Sequence, residues 1–343
     1  MISVIIPAYN RDRYVAQAVA SVESQRTPGD RPEVIVVTNL DLPVNQFSGP
    51  GVPPRVVHSD DPRFGGMISV AVREASGEVV AFLDDDDLWF EGKLGRVESM
   101  FSGRADLVLY HNQSRPIDAR GTPLPVSLDA PGRRAHRPRE ASVFTAARAS
   151  YADIRRAVLW GMDTNHSSMA IRRTVLLENL DILQRIQKSA DSFMFYAALA
   201  SGGAVVEDPR PLTGYRVHSE NSMLHQERTN AEPSRFFEKV YELNSKYHAD
   251  HRLLQGLHGR ALPINVRKAL ECQLAEDQIH LDFFSREARR SALVRHVVDY
   301  IRSTSTSDLP YSMILSIYGL VNVVSHRATE SLYASWALSR HLS

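Results

Sequence analysis

Residues Ala81-Phe82-Leu83-Asp84-Asp85-Asp86-Asp87-Leu88-Trp89 constrain this chain more than any other stretch. Val79 to Leu83 is a short apolar run, β-branched at its start, and predicts a buried strand. Four carboxylates follow without a break. Like charges this close repel, and each resists ionisation unless a cation compensates. Most such runs are solvated acidic turns. This one lies between an apolar strand and Leu88-Trp89-Phe90, which favours a hard divalent ion held by oxygen ligands. The spacing excludes an EF-hand loop, whose glycine would fall at Trp89 and whose alternating ligands would include Leu88.

A chain of 343 residues, 43% hydrophobic, predicts one large domain plus an appendage with a substantial core. Lys+Arg and Asp+Glu both number 40, so no global charge points to nucleic acid. A single cysteine, Cys272, excludes an intramolecular disulfide framework and fits a reducing compartment. The chain enters a strand at once and shows no signal-peptide pattern, so a cytoplasmic location is expected.

Ile2 to Ile6 predicts a buried strand that ends at Pro7-Ala8-Tyr9-Asn10. Val15, Ala18, Val19 and Val22 mark one face of a helix over Arg11 to Gln25. This is the strand-loop-helix opening of an α/β fold, whose ligands sit at the carboxyl ends of strands. Further strands are expected at Glu33–Val37, Arg55–His58 and Asp106–Tyr110, and a helix at Met67–Ala75. Arg115 to Arg139, with six arginines against two aspartates, reads as a long irregular loop, either solvated or touching an anionic acceptor. Phe144 to Leu159 is expected to be helical. Beyond residue 230, stripes at Phe236-Val240-Leu243-Tyr247, Val266-Leu270-Leu274-Leu281-Phe284 and Val294-Val297-Val298-Ile301 predict three packed helices. Met313 to Val324 is too short an apolar stretch to span a bilayer. It suits a buried helix, a dimer contact or a peripheral membrane face.

The run Gly77 to Asp87 followed by Lys93-Leu94 resembles the core of a family-2 glycosyltransferase of the GT-A fold, with its strand ending in Asp-x-Asp. Three more segments are similar in the right order, over roughly residues 1 to 225. The first is Ile5 to Asn10 with Gln25, and the second is Trp160 to Arg173. The third joins Asp191, eleven residues before Gly202, to Tyr215-Arg216-Val217-His218. By this resemblance Pro7, Ala8, Tyr9 and Asn10 hold the nucleoside. Tyr9 then stacks on the base, or else merely caps the core. Asn39 or Asp41 stands in for the family's base-reading aspartates, because Thr38 occupies one of their places. Arg63 is the nearest candidate for the diphosphate, where the family often has Arg-Asn at Ile68-Ser69; a plain surface arginine is the equal alternative. Asp84 and Asp85 are expected at the nucleotide. Asp86, Asp84 and His218 are expected at Mg²⁺ or Mn²⁺, with Arg216 near the diphosphate. Trp89, Asn165, His166 and Ser167 are expected at the acceptor. Asp191 takes the place of the family's general base, although Ala190 replaces the preceding Glu and an Asp at a helix start is also a common cap.

The expected architecture is an α/β GT-A fold with a mixed central sheet plus a C-terminal helical region. Residues 1–110 would bind the nucleotide sugar, 111–228 the acceptor, and 229–343 would be helical. The implied reaction moves a sugar, with inversion, from a UDP- or dTDP-type donor to a hydroxyl of a saccharide or glycoside. No nucleic acid is expected as a partner. Homo-oligomerisation or peripheral contact with the cytoplasmic membrane face would run through the C-terminal helices. Two other classes stay open: a nucleotidyltransferase, and a non-catalytic sugar-nucleotide or carbohydrate-binding protein of the same fold.

Overall fold

The computed structural model describes residues 1–25, 29, 31–43, 47, 53–125, 138–218, 233–259, 262–285, 294–298 and 300. Met313–Val324 and part of the arginine-rich segment lie outside the described residues.

Three parallel strands open the fold: β1 (Ile2–Ala8), β2 (Glu33–Thr38) and β3 (Arg55–His58). Between them stands helix α1 (Val15–Glu23), and after them α2 (Phe64–Glu74). Strand β4 (Val79–Phe82) pairs parallel to β1. Then come the short β5 (Leu88–Trp89), α3 (Lys93–Gly103), β6 (Leu107–Ile117), β7 (Ser142–Thr145) and α4 (Tyr151–Trp160). A 3₁₀ turn, His166–Ser168, leads into β8 (Met169–Arg172) and helices α5 (Arg173–Glu178) and α6 (Leu180–Leu183). Helix α7 (Ala190–Ala200) and strand β9 (Ala204–Arg216) follow. Helices α8 (Pro233–Leu253) and α9 (Ile264–Phe284) close the described chain, with a further helical stretch at 294–298.

One mixed sheet of nine strands runs β3-β2-β1-β4-β8-β6-β9-β5, with β7 also paired to β9. Its early strands read as continuous apolar runs because both faces are covered. Alternate residues sort to the two faces. Val4, Ile6, Val36 and Ala81 join one cluster with α1 and α3. Ile5, Ile35, Val37, Val80 and Phe82 join the other with α2 and α7. That second cluster extends into the C-terminal region through Leu254, Leu257, Val266, Ala269 and Leu270. Among the described residues no helix is long and apolar enough to cross a membrane.

Two expected elements are corrected. The helix foreseen over Phe144–Leu159 begins only at Tyr151, where Ser150 and Asp153 form a reciprocal capping box. The residues before it form β7, antiparallel to the first half of β9 (Ser142↔Glu207, Thr145↔Ala204). Pairing with a sheet edge overrides the local pattern there. The strand foreseen at Asp106–Tyr110 continues to Ile117, because β9 runs parallel beside it as far as Arg216. Arg115 therefore lies in a strand rather than a loop.

Candidate active site

Strand β4 sits mid-sheet, with β1 parallel on one side and β8 antiparallel on the other. Its carboxyl end thus meets the end of β1 at Tyr9-Asn10 and the turn that precedes β8. Short strand β5 pairs antiparallel with Thr213-Gly214 of β9, which brings the end of β9 onto the aspartate run.

The four aspartates differ in their sets of partners, although Arg11 serves both Asp85 and Asp86 and Ser167 both Asp84 and Asp87. The Asp84 backbone N–H donates to Ser167 Oγ (2.9 Å), and Asp84 Oδ1 lies 3.1 Å from His166 Nδ1. Asp85 receives a two-pronged contact from Arg11, through Nε and a terminal nitrogen, each at 2.7 Å. Burial pushes the Asp85 carboxyl up to about 7, against the pull of Arg11. Asp86 Oδ2 lies 2.6 Å from Arg11 and 3.2 Å from His218 Nε2. Asp87 is fully buried and accepts from Ser167 Oγ (2.6 Å) and from the Arg216 N–H (2.9 Å). Burial, then the charges of Asp86 and Asp84, hold its carboxyl well above the usual range.

Arg216 is buried over the Tyr14 ring, 4.3 Å from its centroid. It donates to the carbonyls of Asp86, Asp118 and Ala119 and to Gln17. It ties β9 to the aspartate loop. His218 stacks beside the same Tyr14 ring at 5.2 Å.

Asp191 stands one residue inside α7. Among the described residues its only hydrogen bond is from the adjacent Ser192 N–H (2.9 Å); the N-cap position belongs to Ser189. The side chain is partly exposed. Burial pushes its carboxyl up to about 6; Asp163 and Asp84 add to the rise, while the Ser192 N–H and His166 oppose it. Asp191 therefore shares an electrostatic neighbourhood with Asp84 and His166.

At the carboxyl end of β1, Asn10 adopts φ 59°, a left-handed conformation that asparagine tolerates. The Asn10 N–H donates to Asn39 Oδ1 (2.9 Å) and Asn39 Nδ2 donates to Asn10 Oδ1 (2.7 Å), which joins the ends of β1 and β2. Pro7 and Ala8 lie in β1, opposite Val37 and Thr38. Tyr9 is partly buried and packs on the core. Asp41 is exposed. Arg63 turns to Asp61 (2.7 Å) rather than to the aspartate run.

Three of the four residues expected at the acceptor, Trp89, Ser167 and His166, have internal partners in this structure. Trp89 is 4% exposed, with Nε1 donating to the Ser167 carbonyl (3.0 Å). Its bulk and its donor are both satisfied inside. Ser167 is buried and bridges Asp84 to Asp87. His166 packs against Phe82 and Phe64, with ring centroids 4.3 and 5.1 Å away. Asn165 holds φ 63°, and its amide oxygen and nitrogen have no hydrogen-bond partner among the described residues. Nothing in the local sequence pattern marks Arg11, Gln17 or Asp163. An arginine directly after Asn10 carries no pattern of its own until the fold brings Asp85 and Asp86 to it.

These features define a nucleotide-sugar-type transferase fold of the GT-A kind. The description "Glycosyl transferase family 2" matches residues 3–180, and the chain belongs to that family. An uncharacterised glycosyltransferase of Nostoc is 37% identical over 106 residues, 29% of this chain, and one of Rickettsia bellii is 28% identical over 124 residues, 35% of this chain. The matched stretches span 32% and 18% of those relatives' lengths. Among solved structures, the S. aureus protein TarS superposes with a TM-score of 0.54 at 16% identity, covering 97% of this chain and 55% of that one. A Pyrobaculum calidifontis mannosyltransferase in complex with GDP-Man and Mn²⁺ gives 0.55 at 13% identity, covering 99% and 86%. At these identities the likeness shows the fold.

Proposed function

We propose that the chain transfers a sugar from a nucleoside diphosphate sugar to a hydroxyl of a saccharide or glycoside, with inversion at the anomeric carbon. The observation that carries this reading is Asp191. It is a half-buried carboxylate in the first turn of α7, one residue past the N-cap's neighbour, within the electrostatic reach of Asp84 and with its carboxyl pushed up to about 6. A general base works best with a pKa near the operating pH.

In this reading the Asp191 carboxylate takes the acceptor's hydroxyl proton. The acceptor oxygen bonds to the anomeric carbon as the bond to the diphosphate oxygen breaks. The electron pair leaves with the nucleoside diphosphate, and the proton passes to solvent from Asp191. The joined ends of β1 and β2, with Tyr9 at the rim, would hold a base of UDP or dTDP type through Asn39 or Asp41. Asp84, steadied by His166 and Ser167, would face the nucleotide's ribose or phosphates.

The donor set fits a hard divalent ion. No group of three or more His, Cys, Asp or Glu among the described residues encloses a metal. Mg²⁺-like ions, however, are usually bound by one or two carboxylates plus substrate phosphates. Asp86 Oδ2 and His218 Nε2, 3.2 Å apart, would supply such a pair, with Asp84 beside it, once the Arg11 guanidinium 2.6 Å from the same Asp86 oxygen gives way to the ion. Mg²⁺ or Mn²⁺ held there would offset charge developing on the diphosphate.

The decisive experiment is Asp191→Asn, which preserves size and loses the base. Donor affinity, measured by thermal shift with Mn²⁺, is expected to stay near wild type, while the transfer rate falls about a hundredfold or more. A near wild-type rate removes Asp191 from the mechanism.

A further inference from the structure

We infer that Asp250, on helix α8 of the C-terminal region, is a positioning residue that fixes the entry into α7 and so aims Asp191; this rests on the reading of Asp191 as the base. Asp250 is fully buried although it is a carboxylate. Its Oδ1 accepts the Gln187 N–H (2.8 Å). Its Oδ2 accepts the N–H of Lys188 (2.7 Å), the N–H of Ser189 (3.0 Å) and the Ser189 hydroxyl (3.1 Å). Those three residues immediately precede α7, whose second residue is Asp191. Ser189, at the N-cap position, makes no side-chain cap bond of its own.

The same short strap is held from its other side. The N–H groups of Gly65 and Phe64, at the start of α2, donate to the carbonyls of Ile186 (3.0 Å) and Gln187 (3.2 Å). These are helix-start donors that α2 cannot satisfy internally. The approach is tight, since a Cβ on Gly65 would lie 2.1 Å from the Leu183 carbonyl oxygen. Carbonyls held by α2 and amides held by Asp250 leave residues 186–189 little freedom. Tyr247, three residues before Asp250 on α8, also lies near the base. After burial, the Asp191 charge contributes to pushing its phenol up to about 12. The C-terminal helix thus reaches the catalytic neighbourhood through a carboxylate with four donors, which ordinary packing does not require. A charged acceptor bonded to several backbone amides is among the stronger hydrogen-bond arrangements, so its removal should release the strap.

The test uses the full chain and two readouts. The first is backbone amide exchange over residues 186–195, against 79–90 as an internal control. The second is release of nucleoside diphosphate from UDP-N-acetylglucosamine or GDP-mannose, whichever gives the larger thermal shift with Mn²⁺. For Asp250→Ala, exchange over 186–195 is expected to rise at least tenfold while 79–90 is unchanged. Turnover at saturating donor should fall at least tenfold, with donor KM within twofold. Wild-type exchange over 186–195 overturns the contact. Raised exchange with unchanged turnover overturns the positioning role. If Asp250→Ala does not fold, the same measurements on Asp250→Asn decide, because its amide keeps the shape but leaves one side unable to accept. Asp191→Asn is assayed in parallel. Should it turn over normally, the base assignment fails, while the exchange data still decide the Asp250 contact.

Discussion

Lys93 is fully buried between the rings of Trp89 and Tyr110, with centroids 5.5 and 5.3 Å from its nitrogen. It donates to Asn112 and to the Ser168 carbonyl, and burial lowers its pKa to about 7. An unfolded lysine stays protonated to about pH 10.4. Between these values the unfolded chain binds the extra proton, so the contribution of Lys93 to stability rises with pH, by about 1.4 kcal/mol per unit. The expected result is that the unfolding free energy of wild type, minus that of Lys93→Met, climbs from pH 7.5 to 9.5. A flat difference would mean that Lys93 stays charged in the fold. Asp191 makes a second residue-scale prediction. With its carboxyl near 6, the transfer rate should drop about tenfold per unit below that pH as the base is protonated. A pH–rate profile at saturating donor checks this, and an acidic limb near 4 would contradict it.

At the scale of elements, the turn His166–Ser168 carries more than its length suggests. Ser167 Oγ accepts the Asp84 N–H and donates to Asp87, while its carbonyl receives Trp89 and Thr213. One residue therefore joins β4, β5, β8 and β9. Ser167→Ala strips a donor from a buried carboxylate and an acceptor from a buried amide, at a cost of about 1–3 kcal/mol. Urea unfolding should show that loss, and donor affinity should fall with it because Asp84 is released. A change below about 0.5 kcal/mol, the usual range for surface substitutions, would mean that water replaces the hydroxyl.

For the whole molecule, the C-terminal helices are part of the core rather than an addition to it. Leu254, Leu257, Val266, Ala269 and Leu270 belong to the same cluster as Phe193 and Met194 of α7. Arg155 of α4 pairs with Glu276 of α9, and both are buried. A chain truncated after residue 232 is expected to lose cooperative folding, since removing several large core side chains at about 2–5 kcal/mol each exceeds the stability of a typical domain. Circular dichroism with thermal melting would show it, and a truncated chain with a wild-type melt would refute it. The metal reading belongs to this scale as well. Mn²⁺ with a bound donor should raise the melting temperature of wild type but not of Asp86→Asn, because only a ligand that favours the folded state shifts it.

Local pattern alone determined the early half of the sheet. Apolar runs with both faces covered leave no choice but central strands, and a run of aspartates after such a strand has to be compensated. The site at the carboxyl end of β4, and the matching of Asp191 to a family position, follow from residues read in order. The compensation itself was decided by tertiary structure. Arg11, 74 residues before Asp85, and Arg216, 130 after Asp86, reach the run only through the sheet order. The same holds for Phe144-Thr145, which look helical until the edge of β9 offers its hydrogen bonds, and for Trp89, Ser167 and His166, whose polar atoms turn inward once β8 lies against β4. Asp250 is the extreme case. A charged residue on a long polar helix has no local reason to be buried, and only the backbone it meets, 61 to 63 residues earlier in the chain, explains why it is.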